Sequence, residues 1–253
     1  MTSFNFRLGK REPKIDSRTL QFADYLGAQP PPAPVSENWG TKVSAWGMLG
    51  NDTIGDCTTA ASGHMIEAWT SDVGPEFLVP ESAVITAYSA VSGYDPVTGA
   101  NDNGAYCLDV LNYWRKTGIA GHKILAYAAL KPGHQFHVEA GVYLFGSAYL
   151  GLEMPISAQS QVGGVWDVPA GGLTGDGTPG SWGGHAVPAV AYGPSGVTVV
   201  TWGALQHMTW AFLAAYCSEA YAVLSADFLN ASKISASGFN LVALKADLHK
   251  VTG

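Results

Sequence analysis

The chain predicts an α+β fold, and two observations carry that prediction. Helix-period segments fill the first half, whereas short apolar runs bounded by Gly and Pro fill the second. At 253 residues the chain is long enough to bury a sizeable core, as one large domain or as two lobes with a cleft between them.

The elements follow in order. Residues 1–40 are richer in charge than the rest and end in "QPPPAPVSENWG", whose prolines favour extended geometry; this segment reads as an arm leading into the main domain over 41–253. Gly55 and Asp56 form a turn into a first helix, with Asp56 as N-cap and Met65, Ile66 and Trp69 on its buried face. A second helix fits 81–92 and a third 105–116, separated by the turn-rich "GYDPVTGANDNGA". A helical lobe over about 41–130 and a β lobe over about 131–253 follow from this division. "GSAYLGLEMPI", "HAVPAVAYG" and "GVTVVTWG" read as strands, and "MTWAFLAAYCSEAYAVL" as a helical turn followed by a strand.

Composition excludes several function classes. The formal net charge is −7 and no basic stripe exists to meet phosphates, so a nucleic-acid partner is not expected. No apolar run is long enough for membrane insertion, and the N-terminus lacks the apolar core of a secretory signal. Three scattered cysteines fit neither a disulfide framework nor a zinc site. A cytoplasmic or particle-associated location is therefore expected, with no cofactor and no metal. Charged residues make up only 13% of the chain, about half the usual share. The surface is either rich in small polar residues or partly covered by other subunits.

A thiol at a helix N-terminus beside a histidine is a candidate nucleophile, because both neighbours favour the thiolate. Cys57 has the first neighbour, and His185, 128 residues further on, opens a strand after a glycine-rich loop. With these two fixed, the chain resembles the papain-like cysteine peptidases, across about residues 35–225. Asn51, six residues before Cys57, stands where that family has a Gln that donates to the oxyanion. Ile54-Gly55-Asp56-Cys57-Thr58 takes the place of Cys-Gly-Ser-Cys-Trp, and Glu67 lies ten residues past the nucleophile. "DNGAYCLDVLNYWRKTGI" is similar to the glycine-containing wall of the substrate cleft, which assigns Asn103 and Gly104 to it. "GGHAVPAVAYG" is similar to the histidine strand, and "VTWG" to the Asn-Ser-Trp-Gly region; Trp182 and Trp202 are placed at the cleft.

The resemblance implies a two-lobe fold whose second lobe is an antiparallel, barrel-like sheet. It also implies a thiol hydrolase acting on a peptide or other amide, with a peptide or protein as partner. Two departures matter. Alignment on Trp202 puts Val200 where the family has its orienting Asn, and Thr201, sixteen residues after His185, can orient the imidazole only if the strand register shifts. Asp56 sets a negative charge beside the thiol, which opposes its ionisation. The alternative is therefore a catalytically inactive papain-fold component of a phage virion or bacterial assembly, with partner subunits in place of substrate. A peptidoglycan amidase shares the Cys-then-His order, but its His lies much nearer the Cys.

Other candidates have plainer readings. His64 projects from the same helix face as Cys57 and reads as a packed core residue; His134 and His137 read as a surface turn. "DPVTGANDNG" lacks the closing Glu of a calcium loop. Cys107 and Cys217 read as inert small hydrophobes. Trp166 and Trp182 either roof a cleft or pack in the core, and Asp167 is an outside candidate to orient His185.

Overall fold

The computed structural model describes residues 6–26, 33–225, 228 and 242. The proline cluster Pro30–Pro32 lies outside the described residues. Helix α1 (Cys57–Val73) is rich in small residues and is buried nearly all round, so it runs through the interior rather than over the surface. Gly63 is the contact that permits this, since a Cβ there would come within 2.7 Å of Leu49 Cδ1. Helices α2 (Glu81–Ser92) and α3 (Cys107–Lys116) pack beside it, α2 ending at Gly93 in the left-handed conformation. These three match the sequence expectation closely. Helix α4 (Gln135–Phe145) does not, because its apolar residues lie on several sides and show no single stripe. Of "KPGHQFH", only residues 131–134 form the turn, with His134 at the N-cap; His137, expected in a surface turn, lies in the first turn of α4.

The strands are β1 (Glu37–Asn38), β2 (Ile124–Ala129), β3 (Ala148–Met154), β4 (Val165–Trp166), β5 (Gly183–Gly193), β6 (Gly196–Thr201), β7 (Ala204–Thr209) and β8 (Cys217–Ser225), with α5 (Trp210–Tyr216) before β8. They form one sheet in the order β2-β8-β3-β5-β6-β7-β4, with β1 also on β5. Only β4 and β7 pair in parallel. The sheet is not closed, so the barrel-like expectation is corrected to an open, mostly antiparallel sheet.

Alternation along the strands separates two cores. Ala148, Leu150, Leu152, Val187 and Ala189 join Phe22, Phe145 and Phe212 on one side. Tyr149, Ala186, Tyr221 and Val223 meet α1, α2 and α3 on the other. The N-terminal segment is part of this packing: Phe22 and Tyr25 are buried in the first core, and Ala129 N–H donates to Leu20 O at 2.7 Å. Among the described residues no helix is long and apolar enough to cross a membrane.

Candidate active site

Cys57 is the first residue of α1, and Asp56 is its N-cap by position. The Asp56 side chain does not cap the helix, as sequence alone suggested. Its backbone carbonyl accepts from Thr59 and Ala60 instead, and both carboxyl oxygens are buried without a hydrogen-bond partner. Burial raises its pKa to about 8, and its charge, where present, opposes ionisation of the thiol. Cys57 is 1% exposed. Burial pushes its thiol up to about 12, against the pull of the Ala186 and Gly9 backbone amides and of Lys10. The Ala186 N–H meets Sγ at 3.4 Å, which sets the sulfur beside the residue that follows His185.

His185 is buried on β5. Its Nε2 is hydrogen-bonded to Thr201 Oγ1 at 2.7 Å, while Nδ1 is buried with no partner among the described residues. The register explains why Thr201, and not Val200, meets the imidazole. Ala191 faces Thr198 but Ala189 faces Val199, so β5 carries one extra residue at Val190. Continued towards His185, that shifted pairing puts Thr201 on the side of Val187 and His185 and turns Val200 towards Ala68 of α1. The shift that the sequence reading required is therefore present. Trp202 lies flat on the imidazole, with centroids 4.5 Å apart and 15° between planes, and its backbone adopts φ +46°. Burial lowers the His185 pKa to about 3. Thiol and imidazole are both neutral in this state.

Cys57, Asn51, His64, Ala186, Val200, Thr201 and Trp202 line one small cavity. Asn51 donates one amide N–H to Ile54 O at 3.1 Å, holding the turn that precedes α1. The cleft outside this cavity is occupied by residues 6–11 of the same chain. Gly9 and Lys10 N–H donate to Gly184 O, Ala105 N–H donates to Gly9 O, and Arg11 N–H donates to Ala105 O. The segment is thus clasped between the residue before His185 and the loop before α3. Glycine is required at both clasps: a Cβ on Gly104 would lie 2.1 Å from Gly9 O, and one on Gly184 2.2 Å from Lys10 O. Trp202 Nε1–H donates to Arg7 O at 3.1 Å, and Phe6 packs on the same indole. Trp182 is partly buried against Trp202, whereas Asn103 is exposed in its loop.

Of the remaining candidates, His64 lines the same cavity but is bonded to the backbone. His64 Nε2 meets Gly47 O at 2.9 Å, and burial lowers its pKa to about 4, as for a packed core histidine. Trp166 is fully buried against Phe212. Asp167 accepts from Thr209 Oγ1 at 2.8 Å and is committed to the start of α5, not to His185. Asp102, from the turn-rich loop, braces the site from outside: it accepts from Gly55 N–H and from Tyr88 OH. Among the described residues no cluster of three or more His, Cys, Asp or Glu is arranged to hold a metal. Sequence reasoning missed Gly9, Lys10, Glu153 and Glu219. Nothing in their local patterns marks them, because only the fold brings positions 10, 153 and 219 together.

No family model matches the sequence, and no curated protein matches it. Solved structures do. Xylellain, a cysteine protease from Xylella fastidiosa, superposes with a TM-score of 0.62 at 16% identity, over 87% of this chain and 97% of that one. Digestive procathepsin L 3 of Tenebrio molitor gives 0.57 at 13% identity, over 87% and 76%. The cysteine protease and lectin-like domains of Cwp84 from Clostridium difficile give 0.60 at 10% identity, over 88% and 57%. The fold is papain-like; at these identities the likeness concerns the fold alone.

Proposed function

We propose that the protein is a thiol hydrolase of peptide or other amide bonds. In this reading Cys57 attacks the carbonyl carbon, His185 takes the thiol proton at Nδ1 and returns it to the leaving amine, and water then releases the acyl group. Asn51, through its second amide N–H, and the Cys57 backbone N–H are the oxyanion donors. One observation supports this most: the imidazole is held at Nε2 by Thr201 while Nδ1 is buried and unpaired, and the N–H of the next residue, Ala186, meets Cys57 Sγ at 3.4 Å. A buried nitrogen with no partner is costly unless it has a use, and proton transfer supplies one. When Nδ1 takes the proton, Nε2–H donates to the Thr201 hydroxyl oxygen.

With residues 6–11 seated, the enzyme is latent. The covered site disfavours a thiolate–imidazolium pair, since burial alone moves both groups towards their neutral forms. A peptide substrate would use the backbone groups of Ala105 and Gly184 that the segment now occupies.

The test is alkylation by iodoacetamide in the full chain and in its Lys10→Glu variant, in which a carboxylate faces Glu153 and Glu219 and drives the segment out. Cys57 should label at least about tenfold faster than Cys107 and Cys217 in the variant, with amide hydrolysis appearing alongside. Equal labelling of the three thiols in the folded variant would leave a papain-like fold without the chemistry.

A further inference from the structure

Lys10 carries its side chain out of solvent and into the sheet. Its Nζ lies 2.6 Å from Glu153 Oε1 and 3.5 Å from Glu219 Oε1, with the lysine side chain fully buried. It also donates to Arg11 O at 3.1 Å. Burial alone would lower the Lys10 pKa, but the Glu153 hydrogen bond and the neighbouring carboxylates hold it above the ordinary lysine value.

The pocket is a product of strand register rather than of segment folding. Glu153 stands opposite Gly184 in the β3–β5 ladder, so a carboxylate sits beside the carbonyl that receives the Lys10 N–H. Gly151 stands opposite Glu219 in the β3–β8 ladder. A Cβ on Gly151 would lie 2.5 Å from Glu219 Cγ and 2.6 Å from Lys10 Cε, so glycine there leaves the space that the lysine stem fills. Ser218 Oγ donates to Glu153 Oε1, and Tyr221 OH donates to Glu219 Oε2. Both carboxylates are therefore oriented by the sheet itself. Glu219 is 5% exposed, and its Oε1, which reaches Lys10 only at 3.5 Å, has no hydrogen-bond partner. That atom is an unfilled acceptor aimed into the pocket.

We infer that the Glu153–Glu219 pocket is a subsite that selects a lysine side chain in the peptide occupying the cleft, at the position next to the residue whose backbone lies over Cys57. Lys10 fills it in this structure, with the Gly9 backbone amide acting on the thiol. Two inward carboxylates repel each other when the pocket is empty, and an apolar side chain leaves them desolvated without a counter-charge. A lysine stem with an ammonium tip donates to Glu153 and sets its positive charge 3.5 Å from Glu219, and an acidic side chain is rejected. The inference rests on the cleft being a substrate cleft, as proposed above.

The experiment uses the full chain carrying Lys10→Glu with Cys57→Ala, which opens the cleft and prevents turnover. A fluorescent peptide of residues 6–12 is titrated by anisotropy, beside the same peptide with norleucine in place of the lysine. The lysine peptide should bind roughly tenfold or more tightly than the norleucine peptide, and Glu153→Gln with Glu219→Gln should remove that difference. Equal binding of the two peptides, or binding of neither, overturns the inference. If Lys10→Glu fails to fold, Lys10→Met provides the same comparison. Lysine selectivity without preferential Cys57 alkylation would overturn only the hydrolase; preferential alkylation without selectivity would overturn only the pocket.

Discussion

His64, within α1, and His185, on β5, are both buried, and burial moves both well below the ordinary histidine value, to about 4 and about 3. Each has one hydrogen bond at Nε2, but the partners differ in kind. Gly47 O can only accept, so His64 keeps its proton on Nε2. The Thr201 hydroxyl donates or accepts, so His185 can hold its proton on either nitrogen. The ring contacts differ as well. Trp46 meets His64 edge-on at 83°, whereas Trp202 lies flat on His185, so that partners reach its nitrogens in the ring plane. Burial and pKa shift alone do not tell the two histidines apart; the partner at Nε2 and the unpaired Nδ1 of His185 do.

The largest expected effect separates these two residues. In the Lys10→Glu background, His185→Gln should slow Cys57 alkylation and amide hydrolysis roughly a thousandfold. His64→Gln should leave both rates within about threefold and lower the unfolding free energy by about 1–3 kcal/mol. Similar rate losses for both variants would erase the distinction.

An intermediate effect tests the hydroxyl. Thr201→Val should lower kcat roughly tenfold, because Nε2 loses its partner as the imidazole becomes charged. Thr201→Asn should recover that loss or exceed the natural chain, since an amide oxygen only accepts and fixes the tautomer that leaves Nδ1 open. If Val and Asn behave alike, Thr201 is only a packing residue.

The smallest effect is in stability against pH, and its sign follows from four buried groups. Unfolded histidines take up protons below about pH 6.5, while His64 and His185 resist until about 4 and about 3. The unfolded chain then binds more protons, and stability falls as pH drops. Asp56 and Glu67 act in the opposite sense. Burial raises them to about 8 and about 7, so the folded chain keeps protons that the unfolded chain loses above 3.8 and 4.5, and stability falls as pH rises. The two pairs offset each other between about pH 4.5 and 6.5. Urea unfolding should therefore show a plateau there, with flanks of up to about 1 kcal/mol per pH unit. His64→Gln should flatten the acid flank. A steady rise in stability from pH 5.5 to 8 would contradict this account.

Much of the fold was legible in the chain because its signals are local. The limits of α2 follow from its period and from Gly93, and three strands follow from β-branched runs closed by Gly and Pro. Helix α4 and the pairing of β2 with β8 were not legible, since a helix apolar on several sides lacks a stripe and strand partners lie far apart in sequence. At the site, the order Cys57, His185, Thr201 could be read, as could the requirement for a shifted register. The extra residue at Val190 that supplies the shift could not. It lies in how β5 pairs with β6, a strand partner that no local pattern marks.

Which groups the chain owns, and their order, can be read along it: a thiol opening a helix, a histidine opening a strand, and a hydroxyl sixteen residues later. Those are properties of near neighbours, where propensity and spacing decide. Which groups meet is set by folding. It turned Thr201 towards His185 and Val200 away, laid residues 6–11 over Cys57, and brought Glu153 and Glu219 to one lysine. Each of these depends on a register or a crossing between distant segments. Such registers are set by burial of a whole face at once, and no single stretch of sequence contains that information.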